Sequence, residues 1–432
     1  MSAPAQGHGA AAPLRHWPLP AGVPSWVRRI LLARALRALA DGYVAILLPA
    51  YLLGLGLKPL DVGLISTATL AGSALATLGL GAVAHRWGGR QLLLGAALLM
   101  AATGAAFAAC DNFWPLALVA FVGTLNPSSG DVSIFLPIEQ AELAGAAGTA
   151  EARTALFARY SLGGSLCAAL GALCAGIPAW LVAHTRLDLD AALRAMFLLY
   201  GAIGLAVAAL YQGVGESDTA APVPRTPLGP SRRVVLRLAA LFCVDSFASG
   251  LLVNALLATW LYERFGLPLG AAGRYFFWAG LLTTASQLLA PHCARRFGLL
   301  HTMVFTHIPA SLFLIGAAAA PTLPLALALL LARSALSQMD VPARSAFVMA
   351  VVTPAERVAA ASFTAVPKSL AAAAAPALGG ALLGGGLLAA PLLLCGALKI
   401  AYDLALLGAF RHHRLHQGAD NAPSSSGAKG VP

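Results

Sequence analysis

Runs of about 20 predominantly apolar residues recur along nearly the whole chain, parted by short basic or Gly/Pro-rich breaks. A run of that length crosses lipid hydrocarbon as one helix, because a helix satisfies its own backbone hydrogen bonds where water is absent. With 59% hydrophobic and 10% charged side chains over 432 residues, the chain carries more apolar surface than one soluble core buries. The pattern predicts an all-α, polytopic membrane protein whose first partner is the lipid bilayer.

Cutting at the breaks predicts twelve spans, starting near residues 28, 61, 91, 114, 154, 190, 234, 270, 300, 322, 357 and 386. Between the sixth and seventh lies YQGVGESDTAAPVPRTPLGPSRRVV, a long polar segment that reads as a linker. The expected organisation is a disordered cytoplasmic tail over 1–27, a six-helix half over 28–212, a central cytoplasmic linker over 213–233, a second half over 234–410 and a cytoplasmic tail over 411–432. The first tail has no apolar core followed by a small-residue cleavage site, so it does not read as a cleaved signal.

A net charge of +11 would suggest nucleic acid in a soluble domain. Here the basic residues sit in short connections, which makes them topology signals and removes nucleic acid as a partner. Placing the N-terminus inside sends Arg28, Arg29, Arg90, Arg153, Arg232, Arg233 and Arg357 to the cytoplasm and leaves Lys58, Arg186, Arg194, Arg264 and Arg274 outside. The expectation is a multi-pass protein of the plasma membrane, monomeric, with both termini cytoplasmic. The six cysteines are scattered. They offer neither a disulfide framework nor metal-ligand spacing, so no metal or cofactor is expected.

The two predicted halves repeat each other. RALADGYVAILLPAYL aligns with LFCVDSFASGLLVNALL and pairs Asp41 with Asp245. In the same order, Arg86 pairs with Arg296, Asp131 with Asp340 and Ser165 with Ser369. Matches in one order point to a duplicated six-helix unit.

Two six-helix halves joined by a central loop resemble the major facilitator superfamily of secondary transporters, whose halves are parallel repeats. The decapeptide GAVAHRWGGR at 81–90 extends the resemblance. The family signature between its second and third helices is Gly-x-x-x-Asp-Arg-x-Gly-Arg-Arg/Lys; Gly81, Arg86, Gly88 and Arg90 agree with it, whereas His85 and Gly89 depart. Arg295, Arg296 and Gly298 form the counterpart loop of the second half. The resemblance implies that this loop gates the cytoplasmic side. His85 stands where the family has an aspartate latch, so the latch needs another carboxylate or becomes pH-sensitive. The helix-five signature of antiporters is missing, though AAPALGG in span eleven carries Pro376, Gly379 and Gly380.

Ionisable groups at membrane depth are costly and so are functional candidates. Asp41, mid-span and one turn after Arg37, is the leading candidate for proton coupling, set against a fixed Arg37–Asp41 ion pair that only packs the helix. Asp245 is its repeat, and Asp131 and Asp340 fit gating roles nearer the cytoplasmic ends. The Pro-interrupted LNPSSGD of span four supplies Asn126, Ser128 and Ser129 as cavity candidates. Asn254, Gln338 and Lys368 join them, with Arg37 and Lys368 able to attract an anion. Span ten also carries Arg333. Lys399 and Asp403 look like a packing pair, and Trp260 with Tyr262 like an interfacial belt.

The function these features support is secondary transport of a small organic solute by alternating access, coupled to protons and directed outward. An apolar lining would favour export of amphipathic compounds; Arg37 and Lys368 would favour an organic anion or another imported metabolite. A transport-dead sensor keeping the transporter shell is the remaining alternative. An embedded enzyme would need a His/Asp or metal cluster, and the sequence shows none that converges.

Overall fold

The computed structural model describes residues 23–83, 87–128, 133–215, 229, 231–352 and 356–410. The first half comprises α1 (Val27–Gly54), α2 (Pro59–Val83), α3 (Gly89–Ala109), α4 (Phe113–Val122), α5 (Phe135–Ala146), α6 (Ala150–Leu173), α7 (Ile177–His184) and α8 (Leu189–Gln212). The second comprises α9 (Arg232–Gly250), α10 (Asn254–Phe265), α11 (Leu269–Phe297), α12 (Leu299–Ala318), α13 (Leu323–Leu336), α14 (Asp340–Val351), α15 (Arg357–Gly384) and α16 (Ala390–Phe410). Grouped by span these are twelve crossings, six per half, and their starts agree with the sequence expectation to within about one helical turn. Eight of the described helices are long and apolar enough to cross a bilayer by composition alone. The others are broken into short pieces or carry polar groups.

Four spans are broken, as α4/α5, α6/α7, α9/α10 and α13/α14. In span four the helix stops at Gly123, whose backbone is extended. Asn126 then folds its side chain back, its Oδ1 accepting from the Ser128 amide at 3.1 Å and from its hydroxyl at 2.8 Å. That local turn competes with the helix for the backbone and, with Pro127, ends it. Span five turns through a 3₁₀ segment, Cys174–Gly176, before Pro178 at the head of α7. Spans seven and ten are interrupted at Leu251–Val253 and Ser337–Met339.

Call the end where α1 begins the near end and the opposite end the far end. The halves approach most closely from mid-span to the far end. There Gly63 of α2 lies against Pro376 and Gly380 of α15, and Gly273 of α11 lies against Ala172 of α6. Small residues at these crossings let backbones touch, the usual route to tight helix packing in lipid. Tyr262 crosses from α10 to donate to the Ile46 carbonyl at 2.9 Å. It therefore belongs to the contact between halves, and Trp260, 0% exposed, belongs to the core. The interfacial belt expected of this pair is not what they form; Trp114, Trp180 and Trp278 carry exposed rings instead.

Candidate functional site

A cavity of about 320 Å³ lies between the halves, on the near side of these contacts. The first half contributes α1, α6 and the break in span four; the second contributes α10, α11 and both sides of the break in span ten. Its wall mixes charges (Arg34, Asp41, Arg333), amides (Asn254, Gln287, Gln338) and hydroxyls (Ser128, Ser165, Thr283, Ser337) with the rings of Tyr275 and Phe276. The apolar lining expected for amphipathic cargo is therefore not what these spans build. Their apolar faces point to lipid and to neighbouring helices, and the polar positions converge inward.

Of the expected cavity residues, Asp41, Ser128, Asn254 and Gln338 line this space. Asn126 is buried beside it, holding the turn of span four. The two breaks meet there. Asn254 Nδ2 donates to the Ser128 carbonyl at 2.9 Å, and the Ala255 amide donates to the Pro127 carbonyl at 3.0 Å. An amide in the first turn of α10 has no partner inside its own helix, and the carbonyl before a bent turn has none either. Each break thus completes the other across the boundary between halves.

Arg37 does not face the cavity, and its ion pair is with Glu139 of α5 instead of Asp41. Glu139 is 0% exposed and fully engaged: Tyr160 donates to Oε2 and Tyr211 to Oε1, each at 2.6 Å. The guanidinium also lies 4.0 Å from the Phe135 ring centroid. Both the fixed Arg37–Asp41 pair and the anion-attracting role expected of Arg37 are corrected by this geometry.

The second half buries a larger network. Lys399 of α16 donates to Asp245 Oδ1 at 2.8 Å and to the Ser249 hydroxyl at 2.7 Å, and its Nζ lies 3.3 Å from His307 Nε2 of α12. An ammonium only donates, so Nε2 accepts and Nδ1 carries the proton offered to Asp403 at 3.0 Å. Arg344 of α14 binds Asp245 Oδ2 at 2.8 Å and also pairs with Asp340 one turn back. Lys399 and Asp403 thus do not pair with each other; they tie α16 to α9 and α12. Asp245 is occupied by two cations, and Asp340 is buried against Arg344, one turn along the same helix, instead of reaching water at the helix end.

Lys368 is half-buried on α15 but does not line the cavity. Arg295 and Arg296 are exposed in the last turn of α11, and Gly298 joins it to α12. Gly81 falls in the last turn of α2, and Gly88 and Arg90 open α3. His85, Arg86, Ser129 and Asp131 lie outside the described residues. At the start of α3, buried Glu142 of α5 sets its carboxylate against the backbone of Gly89. A side chain at 89 would collide with it, and the partial positive charge of the helix start favours an acid there.

Glu139, His307 and Arg344 were missed from sequence. Each is an ionisable residue inside an apolar run, and the rule that singled out Asp41 applies to them equally. No group of three or more potential metal ligands converges among the described residues.

Comparison with known proteins follows the same lines. The family model of the Major Facilitator Superfamily matches residues 30–332. An uncharacterized membrane protein of Saccharomyces cerevisiae, YJR124C, is 27% identical over 408 residues, spanning 86% of this chain and 91% of the yeast protein. The structure of the nucleoside transporter NupG superposes with a TM-score of 0.67 at 15% identity, over 90% of this chain and 100% of its own. A bacterial homolog of the human lysosomal transporter Spinster, solved inward-facing and occupied, gives 0.67 at 16%, over 89% and 94%. The human organic anion transporter MFSD10 gives 0.61 at 17%, over 89% and 100%. At these identities the structures speak for the fold. The family model spans most of the chain, and twelve crossings in two repeated halves enclose a polar cavity: this protein belongs to the Major Facilitator Superfamily.

Proposed function

We propose that the protein is a secondary transporter that carries a small polar organic solute by alternating access. The observation that carries this reading is the polar cavity between two halves whose closest contacts among the described residues lie from mid-span to the far end. Rocking the halves about those contacts would expose the cavity to the opposite face. A volume of about 320 Å³ is at the lower end for small-molecule sites, which suits a metabolite. The polar wall supports such cargo over the amphipathic compounds that an apolar wall would have favoured.

Protons are the coupling ion in this reading. Asp41 is the carboxylate among the described cavity residues, so it can exchange a proton with water admitted from either side. Asp245, held by Lys399 and Arg344, fits a structural tie better than a carrier. The arginine distribution of the connections supports a cytoplasmic near end.

Purified protein in liposomes with an imposed pH gradient tests the reading. Gradient-dependent flux of at least one polar metabolite from a broad panel is the expected result. Absence of flux for every compound, with the protein folded and inserted, would sink it in favour of a transport-dead sensor.

A further inference from the structure

We propose that Arg333 binds an oxyanion, so that the solute taken into the cavity is a small organic anion; this rests on the transporter reading above and names its substrate class. Arg333 projects from the last turn of α13 into the cavity wall, half-buried. Its side chain makes no hydrogen bond or ion pair among the described residues. Three other cations in the spans are paired: Arg37 with Glu139, Arg344 with Asp245 and Asp340, and Lys399 with Asp245.

A guanidinium cannot shed its charge, and a charge held away from water without a counterion is destabilising. The C-terminal end of α13 offsets part of that cost through its dipole. A helix end, however, does not engage the guanidinium fork of a residue that lines a cavity. A carboxylate or phosphate does, because its paired oxygens match the planar fork of the guanidinium.

The rest of the wall describes what that anion is attached to. Gln287, Ser337 and Gln338 offer hydrogen bonds to hydroxyl or amide groups, and Tyr275 with Phe276 gives one apolar wall. The cargo is thus a metabolite-sized acid or phosphate ester with a hydroxylated or amide-bearing body. Lys368, the other cation expected to draw an anion, does not line the cavity and takes no part.

The test is ligand-induced thermal stabilisation of the purified full-length protein in detergent. The probes are lactate, succinate, citrate and glucose 6-phosphate at millimolar concentration, with succinamide and glucose as neutral counterparts and sulfate as a bare oxyanion. At least one organic anion should raise Tm where its neutral counterpart and sulfate do not. Arg333→Gln should weaken that binding by about tenfold or more, as expected for loss of a charge-assisted pair. Arg333→Lys, which keeps charge but not the fork, should retain part of it. Because the Arg333 side chain has no hydrogen-bond or ion-pair partner among the described residues, both variants should unfold within a few degrees of wild type without ligand.

Equal stabilisation by the neutral compounds, no stabilisation by any anion, or unchanged binding in Arg333→Gln would overturn the proposal. A lipid headgroup presents the same oxyanion, so the assay is repeated in nanodiscs of phosphatidylcholine and of phosphatidylglycerol. Stabilisation by phosphatidylglycerol through Arg333, with none by soluble acids, would overturn the assignment of a soluble solute. Binding is read without flux: an anion held by Arg333 but not moved across liposomes would defeat the transporter reading and leave the anion site intact.

Discussion

Arg37 is bound to Glu139, a residue 102 positions away, while Asp41 one turn along its own helix lines the cavity. The second half holds a corresponding pair with its charges exchanged: α9, the counterpart of α1, supplies the acid Asp245, and α14, the counterpart of α5, supplies the base Arg344. Each half therefore ties its first helix to the second segment of its fourth by one buried ion pair.

Glu139→Gln is expected to destabilise the first half by about 3–5 kcal/mol, because Arg37 would remain buried without its counterion. Chemical denaturation in detergent measures it. Replacing both partners with apolar residues, as Arg37→Met with Glu139→Leu, should recover much of the loss. A single mutant as stable as wild type would show that the pair contributes nothing.

Asp41→Asn and Asp245→Asn should fail in different ways. The first is expected to keep wild-type stability and solute exchange across liposomes while losing accumulation driven by a pH gradient. The second strips a carboxylate from both Lys399 and Arg344 and should cost about 3–5 kcal/mol of stability. Full gradient-driven accumulation in Asp41→Asn removes it as the proton carrier.

At the near end, Gly89→Ala is expected to displace Glu142 and lower stability by about 1–3 kcal/mol through overpacking. Thermal unfolding reads this directly. Wild-type behaviour would mean that Glu142 swings away freely and does not hold the start of α3.

Asn254→Ala removes a bond that joins the breaks in spans four and seven. The expected loss is about 1 kcal/mol from the state in which they are joined. Since that is roughly a fivefold change in an equilibrium, labelling of cysteines engineered along the far end of α10 should speed up by a similar factor. Unchanged labelling would locate the closing contact elsewhere.

The spans, the halves and their repetition were legible because lipid imposes a length and a periodicity that any window of sequence displays. The breaks were legible only where local chemistry causes them: LNPSSGD announces span four, whereas the interruption after Gly250 has no such signature. Side-chain partnerships were read least well. Asp41 was paired with Arg37 on helical spacing alone, since Glu139 joins it only through the packing of α1 against α5. Lys399 and Asp403 misled in the same way: they sit one turn apart, yet each finds better partners on α9 and α12. Arg333 stands out in the sequence only as a charge in span ten; that no counterion reaches it among the described residues depends on how the helices pack.

Gly63 and Gly380 bring α2 and α15 together main chain to main chain, so that a side chain on either would strike the other helix. Across this seam the Ala377 amide donates to Thr67 Oγ1 at 2.9 Å. A joint almost without side chains has few rotamers to reorder and little to unlatch when the helices tilt. Such a joint would act as a knuckle, able to roll but with no room to thicken. The freedom of the two halves to move then resides in what this surface omits, and one methyl group at position 63 or 380 would be enough to wedge it.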